Sequence, residues 1–134
     1  MTENEIRELV KYRFEKAKKT LHDVDIQVDN KLWNFAINRL YYSCYYAVSA
    51  LLLNNGIFTK THAGAKSMLG LHFVNTGKIS KEANNFYSNI FDLRQESDYD
   101  DFIVFREEDV IILLEPAKNF VMQIEILLKP GLTM

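Results

Sequence analysis

The sequence predicts an all-α fold, an up-and-down bundle of four to five helices. Apolar residues recur at the three- and four-residue spacing of helices along most of the chain. Only two prolines and five glycines occur in 134 residues, so few positions can break a helix. The one β-like run, Phe102 to Phe105, is too short to indicate a sheet.

The first two predicted helices differ in how much of their surface is apolar. Thr2 can cap the first helix, which has an apolar stripe and an opposite face rich in lysine. We expect residues 23–29 to connect it to a second helix, which Asn30 caps and which runs to about Asn54. The second helix is apolar nearly all round, and such a helix is central in a fold.

Three further helices are predicted in the second half of the chain. The third covers roughly residues 62–75, and Ser80 can cap the fourth. The acidic stretch 96–101 has a poor helix pattern, so we expect it to end or interrupt the fourth helix. The last helix spans residues 107–128, and Pro116 predicts either a kink or the start of a second piece.

Composition excludes several classes of protein. The length indicates a single domain, residues 1–134, with enough apolar surface for its own core. The net charge of −2 excludes a bulk cationic coat for nucleic acid, although not a local basic patch. Cys44 is the sole cysteine, as expected of a protein of the reducing cytoplasm. The longest nearly apolar run has 14 residues, short of the roughly 20 that span a membrane.

Four of the seven tyrosines lie within six residues, at Tyr41, Tyr42, Tyr45 and Tyr46. On a helix these positions form two adjacent vertical pairs. A stacking platform for nucleic-acid bases is one interpretation. We favour core and dimer-interface packing, because the helix that carries the rings has no polar face.

Two arginines lie at the edges of apolar stripes. Arg39 is on the central helix, where it must reach water or find acceptors. Arg94 is on the fourth helix, with Asp98 four residues later as a ready partner. The structural interpretation is a salt bridge for each arginine, with the acids of 96–101 as partners for Arg39. The functional interpretation is contact with a phosphate, because a guanidinium is planar and permanently charged.

No pattern indicates a metal site, a nucleophile or a cofactor. The acids between 92 and 101 lack the glycine and terminal glutamate of a helix-loop calcium site. His22, His62 and His72 are dispersed, without the spacing of a zinc pair. Cys44 lies mid-helix among apolar residues, where a thiol is inert. The glycines have no phosphate-loop spacing.

Three segments, in order, carry a resemblance to a known family. The first is Asn38-Arg39-Leu40-Tyr41-Tyr42-Ser43-Cys44-Tyr45-Tyr46-Ala47. The second is Lys60-Thr61-His62-Ala63-Gly64 with His72-Phe73-Val74 and Thr76-Gly77-Lys78. The third is Leu93-Arg94-Gln95-Glu96-Ser97-Asp98-Tyr99-Asp100-Asp101-Phe102. Together, over residues 30–105, they resemble HEPN domains.

This resemblance implies a helical bundle that forms a homodimer in the bacterial or archaeal cytoplasm. It also implies frequent pairing with a minimal nucleotidyltransferase, in which the HEPN protein is the toxin or the nucleotide-binding partner. Many HEPN domains are metal-independent ribonucleases whose signature is an arginine, then four to six intervening residues, then a histidine. Arg94 stands at the arginine position, but Tyr99, Asp100 and Asp101 stand where the histidine is expected. Tyrosine, with a pKa near 10, is a poor acid–base substitute.

These observations lead to three hypotheses. We favour a dimeric, non-catalytic binding module without cofactor or metal, which either binds the phosphate of a nucleotide or RNA through Arg39 and Arg94 or docks a nucleotidyltransferase. Tyr42, Asp98 and Tyr99 complete that predicted site. The alternative is an RNA-cleaving toxin that uses Arg94, Asp98 and Tyr99. A structural dimerisation domain, in which the arginines only pair with acids, is the third.

Overall fold

The residues that the structure describes form five α-helices. The computed structural model describes residues 1–99 and 103–132, with Tyr99 and residues 129–132 described by their backbone alone. The helices are α1 (Glu3–Asp29), α2 (Trp33–Asn54), α3 (His62–Leu69), α4 (Lys81–Tyr99) and α5 (Glu107–Leu132), and a π-helical turn, Gly70–Val74, continues α3. Within the described ranges no residue lies in a β-strand. The predicted all-α bundle is confirmed.

Helix α2 is the centre of the bundle, as its nearly all-apolar surface predicts. It contacts α1, α3, α4 and α5, and twelve of its residues are buried. Helix α1 packs along it in the antiparallel sense, since Arg13 of α1 meets Ser49 near the end of α2. Even so apolar a helix falls short of a membrane span: none of the helices in the described ranges has the necessary length and hydropathy.

Helix α1 is longer than the sequence predicted. Residues 23–29 belong to the helix and do not form a connection. The alternation of acidic and apolar residues there suggests a loop, but Val24 continues the buried stripe of Val10, Phe14 and Ala17 at helical spacing. Burial against α2 therefore overrides the weak local helix preference of this segment.

The prediction that Asn30 caps the second helix was wrong. The backbone N–H and the side-chain Nδ2 of Asn30 both donate to the carbonyl of Ile26, so Asn30 closes the end of α1. Lys31 then turns the chain with a φ of 58°. Helix α2 begins at Trp33 without a side-chain cap from Leu32.

Local capping and burial fix the last two helices. Ser80 caps α4 as predicted, because its hydroxyl oxygen accepts from the backbone N–H of Ala83 at 3.1 Å. Helix α4 continues through the first part of the acidic stretch to Tyr99.

Helix α5 runs through Pro116 as one helix, so no second piece starts there. Pro116 is exposed, whereas Leu113 and Ala117 beside it are buried and anchor the helix.

Candidate functional site

Arg94 lies on the inner side of α4, against two tyrosines of α2. Its Nη2 donates to the Tyr42 hydroxyl at 3.0 Å. The guanidinium carbon lies 5.5 Å from the ring centre of Tyr41 and 5.4 Å from that of Tyr42. The side chain is only 17% exposed, and its Nε lies 2.9 Å from an oxygen of Asp98. The predicted ion pair with Asp98 is confirmed, and cation–π contacts add to it.

The four tyrosines divide between the core and the edge of the site. Tyr41 is fully buried and stacks on Tyr87 of α4, while Tyr42, Tyr45 and Tyr46 are half-buried. Burial raises the pKa of Tyr41 well above its usual value, so its hydroxyl keeps its proton at neutral pH. The cluster is therefore partly core, as predicted, and partly a set of rings that hold cations.

His62, the first residue of α3, joins this site. Its Nδ1 is hydrogen-bonded to the Tyr41 hydroxyl at 2.7 Å, and its ring stacks on Tyr45 with 4.1 Å between ring centres. Thr61 fixes the start of α3, because its hydroxyl accepts from the N–H of Gly64. The bond to Tyr41 leaves Nε2 as the second polar atom of the ring. It donates or accepts according to the tautomer.

Arg94 and His62 face the same pair of rings. The guanidinium of Arg94 and the imidazole of His62 both contact Tyr41 and Tyr42. Burial and, next, the charge of Arg94 lower the pKa of His62 below its ordinary value near 6.5. The imidazole is therefore neutral at pH 7, beside a permanent positive charge.

Sequence reasoning missed His62 because it sought a histidine shortly after Arg94 along the chain. The available signal was the Lys60-Thr61-His62 segment, which matched the second motif of the resemblance. Only the packing of α3 against α2 reveals that this histidine and Arg94 share one site.

Arg39 contacts Tyr42 as well. Its guanidinium carbon lies 5.2 Å from the ring centre, and its Nε and Nη2 donate to Oδ1 of Asn38 at 3.1 and 2.8 Å. Among the described residues no carboxylate lies within salt-bridge distance of Arg39. The predicted salt bridge to the acids of 96–101 is therefore not made by the described part of that stretch. The positive charge of Arg39 therefore has no acidic partner among the described residues.

A groove between α1 and α2 extends from Arg39. Its volume is about 410 Å³, and Lys16, Lys19 and Tyr12 line it together with two acids, Glu15 and Asp23. The Lys16 ammonium lies 4.5 Å from the ring centre of Tyr46. Two cation–ring pairs thus lie along this side of α2, Arg39 with Tyr42 and Lys16 of α1 with Tyr46. Surfaces that hold a phosphate backbone and stacked bases use the same two kinds of group.

The structure brings together four of the five predicted site residues: Arg39, Tyr42, Arg94 and Asp98. Tyr99 is on α4, but its side chain lies outside the described residues. A second cleft, of about 240 Å³, adjoins the site beside Asp98 and Asn38. Permanent positive charge, aromatic faces and amide groups therefore converge on one side of the bundle.

The described residues support neither nucleophilic attack by Cys44 nor a metal site. Burial raises the pKa of the Cys44 thiol to about 12, so the thiolate that nucleophilic attack requires is absent at neutral pH. In residues 1–98 and 103–128, no group of three or more His, Cys, Asp or Glu side chains is arranged to hold a metal ion.

Comparison with known proteins gives the family. The sequence model of the HEPN domain matches residues 10–127. The chain belongs to the HEPN family. The match covers both arginines, the tyrosine cluster and His62.

Several HEPN relatives are similar over most of their length. A "UPF0332 protein" of Thermotoga maritima is 35% identical over 126 residues, which cover 94% of this chain and 96% of the relative. Two Methanocaldococcus jannaschii proteins carry the names "Putative toxin MJ0605" and "Putative toxin MJ0142". They are 35% and 34% identical, over 93% and 85% of this chain and 92% and 77% of the relatives.

The geometry of the candidate site predicts a measurable shift in the protonation of His62. We expect its pKa, measured by NMR titration of the ring, to lie below 6.5 and to rise in Arg94→Gln, because that change removes the nearby positive charge. As pH falls through 6.5, the unfolded chain binds this proton more readily than the folded chain, so acidification destabilises the fold through His62. A pKa at or above 6.5 in the wild type would contradict this geometry.

Proposed function

We propose that this HEPN protein is a binding module for the phosphate groups of single-stranded RNA or nucleotides, with Arg94 and Arg39 as the phosphate contacts. The observation that carries the proposal is the placement of both guanidinium groups against one ring, that of Tyr42. A guanidinium offers five N–H donors in a fixed fork that suits phosphate oxygens. Arg39 has a side-chain amide as its described acceptor, so its charge is available to an anion.

The half-buried tyrosines support RNA over an isolated phosphate as ligand. Tyr42 and Tyr46 are half-buried and each contacts a cation, whereas the ring of Tyr45 is stacked on His62. Base stacking on such rings contributes about 1–3 kcal/mol per base and tolerates any sequence. The groove that runs from Arg39 past Lys16 and Lys19 gives the backbone of a short strand a path along α2.

We also propose that the module is a homodimer and that its protein partner is a minimal nucleotidyltransferase. Family membership supports both. Helix α5 adds support for a dimer, because Ile111, Ile112, Met122 and Ile126 are each at least 44% exposed. At 100° per residue they fall within an arc of about 100° that also includes Glu115 and Asn119, so this face is apolar at its two ends.

RNA cleavage is a second candidate function, and the position of His62 favours it. The names of the two archaeal relatives support a toxin. In the tautomer with the proton on Nδ1, His62 Nε2 could accept the proton of a ribose 2′-hydroxyl. The 2′-oxygen would then attack the phosphorus, and the bond to the 5′-oxygen would break as that oxygen takes a proton from water, giving a 2′,3′-cyclic phosphate and a free 5′-hydroxyl. Arg94 would stabilise the charge that develops on the phosphoryl oxygens.

The binding proposal predicts that Arg94→Gln weakens affinity for a labelled single-stranded RNA about tenfold, or about 1.4 kcal/mol. Fluorescence anisotropy measures this at several salt concentrations. The slope of log K against log salt should fall by about 0.7, because one phosphate contact is lost. Arg7→Gln is the matched control, since it removes an exposed arginine of α1 and should change affinity less than twofold. Wild-type affinity in both Arg94→Gln and Arg39→Gln would refute the proposal.

The cleavage candidate predicts 2′,3′-cyclic phosphate ends when purified protein is incubated with labelled RNA in EDTA. His62→Gln and Arg94→Gln should each lower the rate at least 100-fold, in line with the usual contribution of a general base. His22→Gln removes an exposed histidine of α1 and should leave the rate unchanged. Intact RNA at high protein concentration, or equal cleavage by His62→Gln, would exclude this function.

The dimer proposal predicts a mass of twice 15.7 kDa by light scattering after gel filtration. Ile112→Glu combined with Met122→Glu should give the monomer mass, because two charges would be buried at an apolar contact. Val104→Glu, at a side chain that is 77% exposed outside α5, is the control and should remain dimeric. A monomeric wild type would disprove the dimer.

A further inference from the structure

A second arginine site lies at the other end of α2, around Arg13. Its Nη1 donates to the hydroxyl of Ser49 at 2.9 Å across the α1–α2 contact. A small cavity of about 110 Å³ opens beside this pair, and the polar residues that line it are Arg13, Tyr45, Ser49 and Thr59. These are one guanidinium and three hydroxyl groups, without a carboxylate.

The positive charge of Arg13 has no acidic partner in the described residues. Within those residues, no carboxylate oxygen lies within 4.0 Å of its guanidinium. Its neighbours one turn away on α1 are Leu9, Val10, Lys16 and Ala17, so its own helix supplies no acid either. A half-buried cation normally has an acid or a set of acceptors beside it.

Among the hydrogen bonds of the described residues, none joins Arg13 to a carbonyl at the end of α2. The carbonyl oxygens of Leu52 and Leu53 already accept from the amides of Ile57 and Gly56. This is a Schellman ending, made possible by Gly56 at a φ of +72°. One hydrogen bond to Ser49 thus accounts for only one of the five donors of the Arg13 guanidinium.

The size of the cavity limits what could occupy it. It is larger than the space of about 30 Å³ that one water takes in the liquid, and smaller than the roughly 300–1,000 Å³ of pockets for drug-sized ligands. A single tetrahedral oxyanion is of intermediate size. Guanidinium and hydroxyl donors around one small space are the groups that hold such an anion.

We propose that the Arg13 cavity is a binding site for one phosphoryl group, with Arg13 as the charged contact and Ser49 and Thr59 as hydroxyl donors. The site is separate from Arg94, although Tyr45 links the two, since it lines the cavity and stacks on His62. The phosphoryl group comes either from free phosphate or from the 5′ end of an RNA. The proposal does not depend on RNA binding at Arg94.

The test is an NMR titration of the ¹⁵N-labelled full chain with inorganic phosphate at constant ionic strength. We expect saturable shifts of the Ser49 and Thr59 amides, at least tenfold weaker binding in Arg13→Gln, and binding within twofold of wild type in Arg7→Gln. If Arg13→Gln does not fold, Ser49→Ala and Thr59→Val replace it, each with at least threefold weaker binding expected. Unchanged phosphate affinity in the folded variants, or wild-type shifts that chloride reproduces, would overturn the proposal.

Two RNA arms identify the source of the phosphoryl group. A 5′-phosphorylated oligonucleotide that binds at least fivefold more tightly than its 5′-hydroxyl twin, with the preference lost in Arg13→Gln, indicates an RNA end. Equal affinity for the two oligonucleotides, together with saturable inorganic phosphate binding, indicates free phosphate. Both results support the cavity as a phosphoryl site. Both are measured at the amides of Ser49 and Thr59, so a failure of RNA binding at Arg94 can be told apart from a failure of phosphate binding at Arg13.

Discussion

The contact of Arg94 with the tyrosines of α2 is the interaction on which the candidate site depends. A guanidinium that is only 17% exposed needs acceptors, and it has the Tyr42 hydroxyl, the Asp98 carboxylate and two aromatic faces. This contact joins α4 to α2. It also places positive charge beside His62, whose pKa is lowered by burial and, to a smaller extent, by this charge. The same arrangement thus stabilises the bundle and prepares a surface for anions.

Helix α2 could be predicted well from the sequence, because its apolar residues cover every face and leave only a central position. The junction between α1 and α2 could not be predicted from the sequence. Segment 23–29 looks like a connection until Val24 is seen to be buried against the rest of the core, and Asn30 is a plausible N-cap that instead closes the preceding helix. Local residue preference decides such boundaries poorly when burial acts against it.

The residues of the candidate site could likewise be predicted only in part. Arg39, Tyr42, Arg94 and Asp98 were predicted, because a charged residue on an apolar helix face is visible in the sequence. His62 and Arg13 were not. His62 and Arg94 lie on different helices and both contact the ring of Tyr42. Arg13 and Ser49 are 36 residues apart in the sequence and form a hydrogen bond. Contacts of this kind follow from tertiary packing, which no spacing rule along one helix reports.

The position at which RNA meets the protein tests most directly whether Arg39 and Arg94 hold the phosphates. We would titrate the ¹⁵N-labelled chain with a short single-stranded RNA and follow the side-chain Nε signals of Arg39 and Arg94. We expect these two signals to shift most, together with the backbone amides of Tyr42 and His62. Shifts confined to α5, or no shift at either arginine at saturating RNA, would contradict this role of the two arginines.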